Sequence, residues 1–397
     1  MTPPLPKSFR FAATHCGLKS DASKPDLSLI VSDTPAVAAG VYTQNLVHAA
    51  CVTVNRKLTP GENFRAVVVN SGNANACTGE RGLDDTRHMA RLAGEAIGAE
   101  EKQVLVLSTG IIGVFLPMEK IVTGMEAAAG RLDASEAALV EAARGMMTTD
   151  SVHKLAGRTV ELSAGTIQIT GMAKGAAMIG PNMATMLGVI ATDARLDAPT
   201  AQQALRSAID DSFNCISVEG HMSTNDTVLL LANGAACAEP LSGNDLATFQ
   251  AALDDLCIEL AKAIPADGEG ATHLVEIEIR GCGSKADARR IAKTIAESAL
   301  VKTAIAGADP NWGRIVSAAG YAGAAFDPAR VDLHLNGTLL YQQGAPVAFD
   351  AATVSESIRA NRQTDIVLQF GEGEAVARFW TTDLTAEYVR LNADYHT

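Results

Sequence analysis

In the run Met172-Ala-Lys-Gly-Ala-Ala-Met-Ile-Gly-Pro-Asn-Met-Ala-Thr185, small residues lead through a Gly-Pro-Asn turn to a single hydroxyl, and the apolar run Met186 to Ala191 follows at once. A cut between Ala184 and Thr185 would give Thr185 both a nucleophilic Oγ and a free α-amine able to act as its base, the N-terminal threonine form of nucleophilic catalysis. One residue would then supply two catalytic parts. Taken alone, the segment also reads as an ordinary turn entering a strand.

Such a nucleophile needs donors where negative charge develops. Val104 to Leu107 reads as a strand that ends in Ser108-Thr109-Gly110, where the Gly110 N–H and the Thr109 hydroxyl can donate side by side; the same pattern also makes a simple turn. Lys174 lies among apolar and small residues and can pair a substrate carboxylate, or stand as a solvated charge. Thr148-Thr149-Asp150 follows a helical run and reads locally as an Asx-type turn. Glu269, between two glycines, is a displayed carboxylate. Cys77 ranks below Thr185 as a nucleophile, because no histidine partner is identifiable for it.

Short strand-like runs alternating with amphipathic helical runs must position these groups, which points to a mixed α/β chain of α+β type. Strands are expected at Leu27 to Ser32, Arg65 to Asn70, Gln103 to Leu107, Arg158 to Leu162, Met186 to Ala191, Thr227 to Ala232 and four later runs. Helices are expected at Leu83 to Ile97, Met118 to Leu132, Ala134 to Met147, Pro199 to Ser212 and Asn244 to Ile264, among others. Asp133 or Ser135, Pro117 and Pro199 mark helix starts. Asp309-Pro-Asn-Trp-Gly313 reads as a tight turn anchored by a buried indole.

At 397 residues with 47% apolar side chains, the chain can fill two or three packed lobes. A net charge of −13 argues against nucleic acid and anionic membranes as partners, and a small-molecule substrate fits better. The start lacks the long apolar core of a signal peptide, so a cytoplasmic location is expected. Seven scattered cysteines without a C-x-x-C pair read as reduced thiols, and no His/Cys spacing supports a metal.

MAKGAAMIGPNMATMLGVIATDA, S-T-G-x-I-G at Ser108 to Gly113, and Lys302 to Arg314 together resemble the ornithine acetyltransferase family, also called glutamate N-acetyltransferases. The likeness runs from Gly17-Leu-Lys and Asp26-Leu-Ser-Leu to Thr397. It implies an ornithine acetyltransferase-like fold of sheets sandwiched by helices, self-cleaved into residues 1–184 and a second chain, 185–397, that starts at the nucleophile. By resemblance, Thr109 and Gly110 hold the oxyanion, and Thr148 or Thr149, Lys174, Glu269, Asn392 and Thr397 contact substrate. The implied reaction moves acetyl from N2-acetyl-L-ornithine to L-glutamate by a ping-pong route in arginine biosynthesis. No cofactor is implied beyond acetyl-CoA as an alternative donor, and two copies of each chain would form a heterotetramer. Glu219 and His221 replace two aspartates of the V-D-G-D-x-S-T-N-D pattern, and Gly180 and Ala306 also depart from frequent residues. The alternatives are an N-terminal-nucleophile aminopeptidase or amidase, in which water accepts the acyl group, and an inactive ligand-binding homologue.

Overall fold

The computed structural model describes residues 3–163, 165–180 and 186–394. Ala184, Thr185 and Thr397 lie outside the described residues. The fold is mixed α/β, with two mixed sheets and helices packed on them.

The first half of the chain supplies β1 Phe9–Thr14, β2 Leu27–Tyr42, β3 Gly61–Asn73, β4 Val104–Ile111, β5 Lys154–Leu162, β6 Gly165–Lys174 and β7 Leu187–Thr192. After the short β8 Ile216–Ser217, β9 Thr227–Ala232 completes an eight-stranded sheet in the order β4-β3-β2-β9-β7-β6-β5, with β1 on β2. The centre reads as unbroken apolar runs because both faces are covered. Val67, Val68 and Val69 of β3 and Val228 to Leu231 of β9 are all buried.

One face carries helix α4 Glu136–Met146, whose Leu139, Ala142, Ala143 and Met146 pack with Val67, Val69, Leu105 and Leu107. Ser135 caps that helix by accepting from Ala138 N. On the other face, helices α1 Ala50–Leu58, α2 Gly79–Ile97 and α3 Met118–Ala129 cover β1 to β4. Helices α5 Ala198–Asp210 and α6 Gly243–Ala266 continue the chain, and α6 packs on β5 and β6. It also reaches the second sheet, whose seven strands include β8 and the C-terminal strand Ala375–Thr382. The two sheets therefore share one core.

Three expectations need correction. Strand β4 does not stop at Leu107 ahead of a turn but runs to Ile111, its pairing with β3 continuing as far as Asn73. The sequence reading placed a strand only at 158–162, whereas β5 and β6 form a full hairpin registered from Lys154↔Ala173 to Leu162↔Gly165. This hairpin delivers Lys174 to the end of the sheet. The indole of Trp312 is also not the buried anchor of a tight turn. Asn311 caps the helix Trp312–Gly320, and half-buried Trp312 stacks on Tyr341 with ring centroids 5.3 Å apart.

Candidate active site

Two parallel strands place Thr109 and Gly110. β3 and β4 pair with Ser71 opposite Thr109 and Gly72 opposite Gly110. Gly110 has φ of +135°, and a Cβ there would lie 2.2 Å from the Gly72 carbonyl carbon, so only glycine fits. Thr109 is buried, and Lys174 Nζ donates to its Oγ1 over 3.4 Å. With a lone pair so engaged, the Thr109 hydroxyl proton is free to be donated elsewhere.

Lys174 is itself buried. Burial lowers its pKa, while Asp150 pulls the other way by stabilising the ammonium. Asp150 accepts from Gly175 N at 2.6 Å, Thr148 N at 3.1 Å and Lys154 Nζ at 2.7 Å. Burial would raise its carboxyl, but the Lys174 and Lys154 charges outweigh that and hold it at about 2. Lys154 Nζ also meets Asp267 Oδ2 at 2.7 Å, and Asp267 accepts from Ser151 N at 3.0 Å. Asp267 directly follows α6, whose last turn contains Pro265. One lysine between two carboxylates thus ties together the loops bearing Thr148, Lys174 and Glu269.

Removing the central anion should be costly. Asp150→Ala leaves Lys154 and Lys174 buried beside each other, and a loss of about 3–5 kcal/mol is expected in denaturant unfolding at neutral pH. A loss under about 1 kcal/mol, the scale of an exposed pair, would show that the network is solvated. The pH sign follows from the depressed value: the stabilisation is complete above the ordinary aspartate pKa and disappears as pH falls through about 2.

Above this network lies a cavity of about 530 Å³ lined in part by Gly110, Thr148, Thr149, Glu269, Lys19 and Leu391. Both threonines of the pair face it. Asn392 Nδ2 donates to Glu269 Oε2 at 3.0 Å, so the helix Ala386–Asp394 brings the C-terminal segment to the site. That segment is anchored by Thr385 Oγ1 on Gly270 O at 2.7 Å and by Asp383, which accepts from Thr272 N and His273 N. Cys77 is exposed at the start of α2 and is not among the cavity's lining residues.

The described residues on either side of 181–185 are firmly anchored. Ile179 O accepts from Val218 N at 2.9 Å and from Gly220 N at 3.1 Å. A Cβ on Gly180 would lie 2.4 Å from the Gly220 carbonyl carbon, which explains a glycine at this departure from the family pattern. On the far side, Met186 N donates to Asp226 Oδ1 at 3.0 Å. Beside these anchors, Glu219 has both carboxylate oxygens buried without a hydrogen-bond partner among the described residues, and burial pushes its pKa up to about 8.

Lys19, Asp26, Lys154, Asp267 and Asp226 were not given roles by sequence reasoning. Asp26 accepts from the N–H groups of Cys16, Gly17, Leu18 and Lys19 at 2.6–3.1 Å, which shapes the loop that carries Lys19 to the cavity. Burial lowers the Lys19 pKa to about 8. The only sequence signal for this loop was the pairing of Gly17-Leu-Lys with Asp26-Leu-Ser-Leu in the resemblance.

Residues 10–397 match the model of the ArgJ family. The arginine biosynthesis bifunctional protein ArgJ of Rhodopirellula baltica is 46% identical over 99% of this chain and 96% of its own length. Its counterpart from Bacillus subtilis is 43% identical over 99% and 96%. A crystal structure of ArgJ from Bacillus halodurans is 39% identical with a TM-score of 0.50, covering 51% of this chain and 96% of that one. The family match spans every segment that lines or supports the cavity, and on that ground the chain belongs to the ArgJ family.

Proposed function

We propose that this chain is a self-cleaving acetyltransferase of arginine biosynthesis that moves acetyl from N2-acetylornithine to glutamate. The observation that carries the reading is convergence. Thr109, Gly110, Thr148, Thr149, Lys174, Glu269 and Asn392, drawn from five separate segments, meet at or directly beneath one cavity. In this account Thr185 attacks the acetyl carbonyl, its own amine takes the hydroxyl proton, and ornithine leaves after receiving that proton. Gly110 N–H and the Thr109 hydroxyl hold the oxyanion, and the glutamate amine then attacks the acetyl-threonine ester to regenerate the hydroxyl. Lys174 and the Thr148/Thr149 pair offer cationic and hydroxyl partners for a carboxylate. Glu269, held by Asn392, offers an anionic partner for an ammonium.

Cleavage at Ala184/Thr185, giving chains 1–184 and 185–397, belongs to the same proposal. The solved Bacillus halodurans chain fits it, since 96% of that chain covers only 51% of this one, the proportion left by a cut near the middle. Two copies of each chain would make the assembly, acetyl-CoA is an alternative donor, and the cytoplasm is the expected location. Among the described residues no helix is long and apolar enough to cross a membrane.

The test is a product assay with purified protein, acetylornithine and glutamate. Acetylglutamate and ornithine should form in equal amounts, with parallel double-reciprocal lines for the two substrates. Free acetate in place of acetylglutamate would make the chain an amidase; no turnover at all would leave it a binding protein. Replacing acetylornithine with acetyl-CoA in the same assay decides the second donor.

A further inference from the structure

The run Ser223-Thr-Asn-Asp226 has no part in the chemistry above, yet it touches both halves of the site. Asn225 Nδ2 donates at 2.7 Å to Ser108 O, the carbonyl preceding Thr109, and at 2.7 Å to Ala74 O. Its neighbour Asp226 accepts through Oδ1 from Met186 N, the amide following Thr185. The run is held from outside: Thr43 N donates to Asp226 O, Thr43 Oγ1 to Ser223 O and Ala49 N to Thr224 O, each at 2.8 Å. Asn225 is 4% exposed and Asp226 1%.

Peptide planarity gives these two bonds leverage. The Ser108 carbonyl lies in one plane with the Thr109 nitrogen, so fixing that oxygen orients the strand end that carries Thr109 and Gly110. The Met186 N–H belongs to the peptide bond that joins Met186 to the preceding residue, so the bond to Asp226 fixes the point at which the described chain resumes after Thr185. The two clamps sit on adjacent residues, about 3.8 Å apart between Cα atoms. After cleavage at 184/185, Ser108 and Ala74 belong to one chain and Met186, Asn225 and Asp226 to the other.

Building on the acetyltransferase reading, we propose that Asn225 and Asp226 are positioning residues that set the separation between the Thr109–Gly110 pair and Met186, the residue bonded to Thr185, across the cleaved chain. Asp226 works as a hydrogen-bond acceptor in this role. Its Oδ2 is buried without a partner among the described residues, and burial raises its pKa well above the ordinary value, with Lys174 the opposing charge. Asparagine keeps both the side-chain shape and an acceptor oxygen for the Met186 N–H, and alanine loses both, so asparagine should replace Asp226 and alanine should not.

The experiment compares full-length parent, Asp226→Asn and Asp226→Ala for the rate of self-cleavage and for kcat and KM of acetyl transfer on cut protein. Asp226→Ala should lower kcat about 100-fold, the effect of a misplacement near 1 Å, with the acetylornithine KM close to the parent value. Asp226→Asn should keep both the cleavage rate and kcat near parent. An alanine variant that stays uncut while its asparagine counterpart cuts also supports the clamp, since the same residue is being aligned. The proposal is overturned if Asp226→Ala retains its kcat, if it changes KM alone, or if Asp226→Asn is as impaired as alanine. Should the alanine variant not fold, Asp226→Asn still decides by the last criterion. A parent that cuts itself but transfers no acetyl would fail the acetyltransferase reading alone, leaving the cleavage rates to judge the clamp. A parent that does neither overturns both.

Discussion

Thr185→Ala should remain a single uncut chain and make no acetylglutamate. Alanine lacks the Oγ that would attack the Ala184 carbonyl in the N-to-O acyl shift, so residues 1–184 stay joined to 185–397. The α-amine of residue 185 is then never released, and nucleophile and base are lost together. The loss in kcat is on the order of a millionfold, the scale for deleting a hydroxyl nucleophile. Thr185→Ser keeps the hydroxyl and loses one methyl, and it should still cut. Denaturing gels and product assays on both variants check this; cleavage or acetyl transfer by Thr185→Ala would remove Thr185 from the mechanism.

Thr109→Ala should fold and cut but turn over about 10²–10³-fold more slowly, a loss of roughly 2.7–4 kcal/mol of transition-state stabilisation for one oxyanion donor. The structure sharpens the expectation, because the Thr109 hydroxyl accepts from Lys174 Nζ and its own proton is left to donate. Thr109→Ser retains that arrangement and should stay near parent. Steady-state kinetics provide the check. A defect confined to KM, with kcat intact, would make Thr109 a ground-state binding residue instead. Gly110 cannot be probed in the same way, since any Cβ there collides with the Gly72 backbone.

The parts legible in the sequence were those written locally. The strand Thr227–Ala232 has the expected bounds, as an apolar run closed by a local break in pattern, whereas β4 runs on past Leu107 through Ser108-Thr109-Gly110 to Ile111, because parallel pairing with β3 carries the ladder through residues that read locally as a turn. Ser135 and Pro199 marked real helix starts. Helix α1 was missed: its Val52-Thr-Val54 segment favours strands, and packing against β4 overrides that preference. The mutual arrangement of the site residues came from family resemblance. The Lys154–Asp267 contact spans 113 residues and the Asn225–Ser108 contact 117, separations that leave no periodicity to read. Lys154 alone looks like a strand-edge lysine; only the fold shows it buried between two carboxylates.

Thr185, exposed by cleavage, should carry the acetyl group between donor and acceptor. Mass spectrometry of the purified protein incubated with acetylornithine and no glutamate tests it directly. Two fragments should appear, 1–184 and 185–397, and the second should gain the mass of one acetyl group on its N-terminal threonine, lost again when glutamate is added. An intact chain, a cut elsewhere, or an acetyl group on any other residue would contradict the account.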